Sequence, residues 1–283
     1  MRKFALGCLS LLLVLLAYQQ IRRNRMAPVP PNANLRIISL SPTLTEILFE
    51  LGVGESMVGV TTYCVYPPEA QQKEKIGDFV NPNIEKMLSL QPDLIFAERW
   101  SSSKIVARLQ EAGLNVVEVR SPHSIEEIYQ VIHQVGQAVK KDDRARVIEA
   151  DMRKRIDLIR AQAERMTYRP KIYIEIDLPS WTVGRNSYTS EAVTLCGARN
   201  IFEDVEKPAL QVSNEVIIER NPDIILSFDA PATEYLQRPG WARVKAIQQR
   251  KIIDDVGRNL LSHGNHRLIA GMEQLQTRLL QMR

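Results

Sequence analysis

The chain has 283 residues, 45% of them hydrophobic and 25% charged, and a formal net charge of +4. That length allows one large or two small domains. Much of the surplus charge is Arg2, Lys3, Arg22, Arg23 and Arg25 near the N-terminus, so the globular part has no basic field and a nucleic-acid partner is excluded.

In chain order, a basic start is followed by an almost unbroken apolar run over 4–17. That is the layout of an export signal, too short for a comfortable membrane span. Tyr18-Gln19-Gln20 follows without a clean small-x-small site, so a removed signal and an uncleaved membrane anchor both stay open. Leu6-Gly7-Cys8 has a weak likeness to a lipoprotein site. Residues 27–34, with three prolines, read as a tether without structure. Leader and tether together occupy 1–35.

The N-terminal lobe is expected over 36–141. Strand 36–40 ends at Ser41-Pro42. Thr43 is placed to cap a helix over 44–51, with Glu46 completing a capping box and Gly52 stopping it. A strand over 57–61, a helix over 83–90, a strand over 93–97, a helix over 104–112 and a strand over 116–119 follow. Ile125, Ile128, Ile132, Val135 and Val139 mark another amphipathic helix.

Residues 142–166 form the organising stretch of the chain, within a linker of 142–169. Met152, Ile156, Ile159, Ala163 and Met166 recur at helical spacing, with no Gly or Pro before Pro170. Asp142 or Asp143 can cap the start. The pattern predicts one long backbone helix; a coiled-coil segment is the alternative. The C-terminal lobe, 170–283, runs as strand 171–176, helix 190–196, helix 215–219, strand 223–227, helix 241–247, strand 251–255 and closing helix 265–282.

The two lobes repeat one pattern. Glu85, Leu88 and Pro92-Asp93-Leu94-Ile95 reappear as Glu215, Ile218 and Pro222-Asp223-Ile224-Ile225, at an offset of about 130 residues. Alternating strands and helices predict an α/β protein of two Rossmann-like lobes, each with a mainly parallel sheet, joined by that single helix.

The residues argue against an enzyme. Gly52-Val53-Gly54 follows a helix, so it is no phosphate cradle. No Gly-x-Ser-x-Gly elbow occurs, and Cys64 has no obvious partner base. Cys8, Cys64 and Cys196 suggest no natural pairing, so no structural disulfide is expected. His263 and His266, three apart before the last helix, could grip a metal or touch a bound metal complex, but a full metal site needs three or four donors. None is expected. Tyr63, Tyr66, Phe79, Trp100 and Trp181 all fall in loops, most of them just past strand ends. Ligands collect there in open α/β sheets, and large rings there suit a flat, partly apolar ligand.

The segments 36–46, Tyr63 with Tyr66-Pro67-Pro68-Glu69-Ala70, Asn83-Ile84-Glu85 and Gln91-Pro92-Asp93-Leu94-Ile95 resemble the cobalamin-binding receptors of bacterial ABC importers. The resemblance runs from about Arg36 to the end. It implies a non-enzymatic, extracytoplasmic solute-binding protein, periplasmic or tethered to the membrane by its leader. Such a protein is expected to work as a monomer, to bind cobalamin or a related corrinoid between its lobes, and to deliver it to a permease dimer. Tyr63, Phe79 and Trp181 match aromatic positions that flank the ligand; Trp100, close to Glu98, and His263, in the loop before the last helix, are added as expected ligand contacts from their own places in the chain. An aromatic expected near Glu98 is replaced, and another, before Gln211-Val212-Ser213, is Ala209. A disulfide found in the family would need a partner that Cys196 lacks. These departures leave haem, ferric siderophores and bare metals as alternative ligands. Glu85 and Glu215 match the glutamates that, in the family, pair with permease arginines.

Overall fold

The structure, a computed structural model, describes residues 35–99 and 103–282. Almost all of the leader and tether, and Trp100, lie outside the described residues. Among the described residues no helix is long and apolar enough to cross a membrane. Packing divides the chain into two units. One runs to Ser41 and resumes over Val53–Glu118; the other takes Pro42–Gly52 and the chain from Val119 onward.

In chain order the first elements are β1 (Ile37–Ser39), α1 (Pro42–Glu50), β2 (Met57–Val60), α2 (Pro68–Gln71), β3 (Glu74–Lys75), α3 (Ile84–Ser89), β4 (Leu94–Glu98), α4 (Ser103–Glu111) and β5 (Val116–Val119). All but α1 build the first unit. Its sheet has the order β3-β2-β1-β4-β5. Strand β1 pairs in parallel with β2 and β4, and β2 with β3. A central parallel strand is covered on both faces and is therefore apolar throughout; Ile37 and Ile38 are fully buried. Ile38, Ile95, Met87, Val106 and Leu109 make a core between sheet and helices.

The second unit continues with α5 (Ile125–Ala138), α6 (Asp142–Glu164), β6 (Lys171–Glu175), β7 (Trp181–Thr182), α7 (Tyr188–Leu195), β8 (Arg199–Asn200), β9 (Leu210–Gln211) and α8 (Asn214–Arg220). Then come β10 (Ile224–Ser227), α9 (Ala232–Gln237), α10 (Lys245–Gln248), β11 (Ile252–Ile253), α11 (Arg258–Leu261) and α12 (Leu268–Gln281). Its sheet is β11-β10-β6-β8, parallel throughout, while β7 and β9 form a small antiparallel pair. Tyr173, Phe202, Tyr235 and Trp241 fill the core with edge-on and tilted rings, centroids 6.0–6.4 Å apart.

Helix α6 has 23 residues and buries Met152, Ile156, Ile159 and Ala163 along one stripe. It packs on α5 and α12. Gln276 donates to the Ile159 carbonyl at 2.7 Å, and Arg155 clasps Glu273 at 2.7–2.8 Å. The described cysteines, Cys64 and Cys196, are buried thiols.

Helix α1 differs from the local reading in two ways. It groups with the second unit, packed on α5. It also begins at Pro42, and Glu46 is not the closing member of a capping box. Glu46 is 2% exposed. Its carboxylate accepts from Asn265 Nδ2 at 2.7 Å and meets His263 Nδ1 at 3.0 Å and Arg267 Nη1 at 3.2 Å. A buried carboxylate needs charged and polar partners, and these outcompete a backbone amide of its own first turn.

The sequence repeat has a structural counterpart at the start of each sheet. Asp93 Oδ2 accepts from the Arg36 amide at 2.8 Å, and Asp223 Oδ2 from the Lys171 amide at 2.8 Å. Arg36 Nε donates to the Leu90 carbonyl at 2.9 Å, and Lys171 Nζ to the Arg220 carbonyl at 3.1 Å. Gln91 and Asn221, which leave α3 and α8, both have φ of 45°. The left-handed conformation stops each helix, and the aspartate then fixes the first strand against the next.

Candidate functional site

In each sheet the crossovers leave the first strand in opposite directions, β1 toward β2 and β4, β6 toward β8 and β10. Such a switch point opens a crevice at the carboxyl ends of the strands. Tyr63 and Phe79 in the first unit and Trp181 in the second lie in segments that leave that end.

In the first unit two loops meet there. Gly77 follows β3 with φ of +95°, and a Cβ on it would stand 2.8 Å from the Asn81 carbonyl. Only glycine makes that turn without strain. Asp78 Oδ1 then accepts from the amides of Val80 and Asn81 at 2.7 and 2.6 Å, a tight turn with Phe79 at its tip. The loop after β2 is tied to it by the Thr62 amide, which donates to the Gly77 carbonyl at 3.0 Å. Tyr63 and Phe79 are thereby brought together, ring centroids 5.9 Å apart and planes at 47°. Tyr63 is 56% exposed, and Val65, Tyr66 and Val80 are exposed around it.

In the second unit Trp181 sits on a hairpin just past β6. Its amide donates to the Asp177 carbonyl at 2.9 Å and its carbonyl accepts from Ile176 at 2.8 Å. Gln211 Nε2 binds the Pro179 carbonyl at 3.1 Å, bracing the turn, and the Trp181 side chain stays 39% exposed. Beside these strand ends lies a cavity of about 280 Å³. Ile176, Phe228, Val183 and Ala209 supply apolar walls, and Arg258, Asp177 and His123 supply charge or hydrogen bonds. Neither Trp181 nor His263 is among its walls. His263 instead turns its Nδ1 to Glu46.

Arg258, Asp177 and Phe228 were not singled out from sequence, although Asp177 and Phe228 directly follow strands, which is the signal that marks such positions. A buried network also escaped notice. Glu175, at the end of β6, accepts two hydrogen bonds from Arg238 at 2.8 and 2.6 Å, one from Tyr173 at 3.1 Å and one from Tyr235. Arg238 stacks over the Tyr235 and Trp241 rings at 4.1 and 5.0 Å. Burial and the Glu175 carboxylate push both phenols up from their ordinary value.

Glu85 and Glu215 are exposed, each in the first turn of its helix, α3 and α8. Asn83 caps α3 by accepting from the Lys86 amide at 2.9 Å. A hydrogen bond from Ser213 holds the Glu215 carboxyl below the usual carboxylate range. No group of three or more metal-binding side chains occurs among the described residues.

Comparison with known proteins places this geometry. The profile of the family described as periplasmic binding protein matches residues 37–257. An ABC transporter substrate-binding lipoprotein of Bacillus subtilis, YvrC, is 32% identical over 248 residues, 85% of this chain and 78% of that one. A vitamin B12-binding protein of Vibrio cholerae is 31% identical over 221 residues, 77% of this chain and 79% of that one. Among solved structures, the heme-binding protein RhuT of Roseiflexus superposes with a TM-score of 0.78 at 28% identity, over 88% of this chain and 99% of that one. The family and these relatives are solute-binding proteins and not enzymes. The chain belongs to the periplasmic binding protein family, as a substrate-binding protein of an ABC transporter.

Proposed function

We propose that this protein binds cobalamin or a related corrinoid outside the cytoplasm and hands it to the permease dimer of its importer. The observation that carries the reading is the Tyr63–Phe79 ring pair on an exposed apolar face. Trp181 offers a further exposed ring on the other unit. Rings of this size contribute a gross few kcal/mol each against a flat ligand, at about 25 cal/mol per Å² of area removed from water. The relative named for vitamin B12 supports the same ligand. Glu85 and Glu215 serve as the docking carboxylates. Exposed ion pairs contribute only about 0–1 kcal/mol each, so they set orientation more than affinity. The leader tethers the protein to the membrane or is removed on export.

Titration of the purified protein with cyanocobalamin, followed by tryptophan fluorescence, tests the ligand. Saturable quenching is expected; no saturation up to high micromolar concentrations would sink the corrinoid reading. Haem is the second reading, favoured by the exposed phenols of Tyr63 and Tyr66 on one loop, since a tyrosine can ligate haem iron. It requires a Soret shift with hemin that is lost on Tyr63→Phe or Tyr66→Phe.

A further inference from the structure

The cavity in the second unit carries more chemical information than its apolar walls. Three of its side-chain oxygens are engaged by the protein. Tyr188 donates to the Ser262 carbonyl, Thr189 donates to the Leu261 carbonyl at 3.0 Å, and Ser187 accepts from the Thr189 amide at 3.2 Å. Arg258, Asp177 and His123 remain to meet a ligand. Arg258 is paired with Asp229 through one nitrogen, and a guanidinium has donors to spare. Asp177 uses one carboxylate oxygen on the Leu178 amide at 2.8 Å, which leaves the other as an acceptor. The charged groups therefore comprise one cation, already neutralised, and a second carboxylate.

We propose that this cavity takes an uncharged carboxamide arm of the ligand and disfavours a carboxylate in the same place. The inference rests on the corrinoid reading above and narrows it. A carboxamide presents a carbonyl to Arg258 and an N–H to Asp177, one acceptor and two donors in one planar group. A carboxylate can only accept. It meets an arginine whose charge is spent on Asp229 and a like charge at Asp177, an arrangement that selects by repulsion as well as by attraction. Corrin rims carry carboxamide arms, whereas the haem rim carries carboxylates.

The test uses the full chain, purified, with cyanocobalamin and the acids made by hydrolysing one of its carboxamide arms at a time. Tryptophan fluorescence gives each Kd. At least one acid should bind about tenfold more weakly than cyanocobalamin, the scale of about 1.4 kcal/mol. Asp177→Asn, an exposed and near-isosteric change, should close most of that gap. Equal affinities for all the acids, a tighter-bound acid, or a gap untouched by Asp177→Asn would overturn the inference while leaving corrinoid binding intact. No corrinoid binding at all would remove the underlying reading and the inference with it. Hemin, with two carboxylates, binding more tightly than cyanocobalamin would do the same.

Discussion

Leu40 in the first unit and Glu175 in the second hold the same place, one residue beyond the pairs Ser39–Phe96 and Ile174–Leu226 of the central strands. Ile37 pairs with Leu94 as Ile172 pairs with Ile224, and Ser39 with Phe96 as Ile174 with Leu226. Leu40 is packed into an apolar core. Glu175, at 2% exposure, is the centre of a buried charge network. At the opposite ends of the same strands the units agree almost atom for atom, through Asp93 and Asp223. The start of a strand needs only a stop for the preceding helix and a register for the sheet, and one solution serves twice. The end of a strand faces the crevice in which a ligand is proposed to bind, and there the two units differ. The first unit exposes rings, while the second holds its loops with buried ion pairs and places Asp177 and Arg258 around a cavity.

The largest expected effect comes from breaking that difference. Glu175→Ala leaves Arg238 with the exposed Glu234, Tyr235 with Ser227 and Tyr173 without its acceptor, and should cost about 3–5 kcal/mol, as for other buried pairs broken on one side. Denaturant unfolding measures it; a loss near zero would mean the network is not buried as described. Next come the two aspartates. Asp223 also binds Tyr168 and Lys245, each at 2.5 Å, for which Asp93 has no counterpart among the described residues, so Asp223→Ala should cost about 2–3 kcal/mol and Asp93→Ala about 1 kcal/mol. Equal losses in melting experiments would show that only the shared amide clamp matters.

A smaller effect is expected with pH. Burial holds the His266 imidazole below its usual range, against the pull of Glu50 and Glu46, with Arg267 and Arg144 lowering it further. His266 Nε2 lies 3.5 Å from Glu50. An imidazole depressed in the folded state binds fewer protons there than when unfolded. Its contribution is therefore fully present above the unfolded value of about 6.5 and is lost as pH falls below it. The melting temperature should drop between neutral and mildly acidic pH, and drop less in His266→Gln. The same slope in both proteins would assign the dependence elsewhere. The smallest stability effect belongs to Glu85→Ala combined with Glu215→Ala. These exposed residues should leave melting and ligand affinity unchanged while uptake by cells is lost; retained uptake would count against docking through them.

The repeated scaffold was legible in the sequence because it is built from local patterns. Apolar runs mark the central strands, and the spacing of Met152, Ile156, Ile159 and Ala163 marks α6. Pro92-Asp93 and Pro222-Asp223 announce their strands. What was not legible depends on residues far apart. Thr43 and Glu46 have the spacing of a helix cap, yet Glu46 is claimed by Arg267 and by His263 and Asn265, which stand 217 and 219 positions away. The strands β7, β8 and β9 span two residues each, too few to show a period. Among the site residues, Tyr63 and Phe79 were visible as loop aromatics, but their approach depends on the turn at Gly77. Arg258 and Asp177 carry no motif at all.

Both described thiols are sealed. Cys64 and Cys196 have no exposed surface, Cys196 Sγ leans on the Met272 carbonyl at 3.3 Å, and burial pushes its ionisation well up. Disulfide exchange starts from an accessible thiolate. Outside the cytoplasm, where oxidants pair cysteines readily, neither sulfur offers a foothold for crosslinking two molecules. These two thiols can therefore stay reduced there without a partner cysteine for either position.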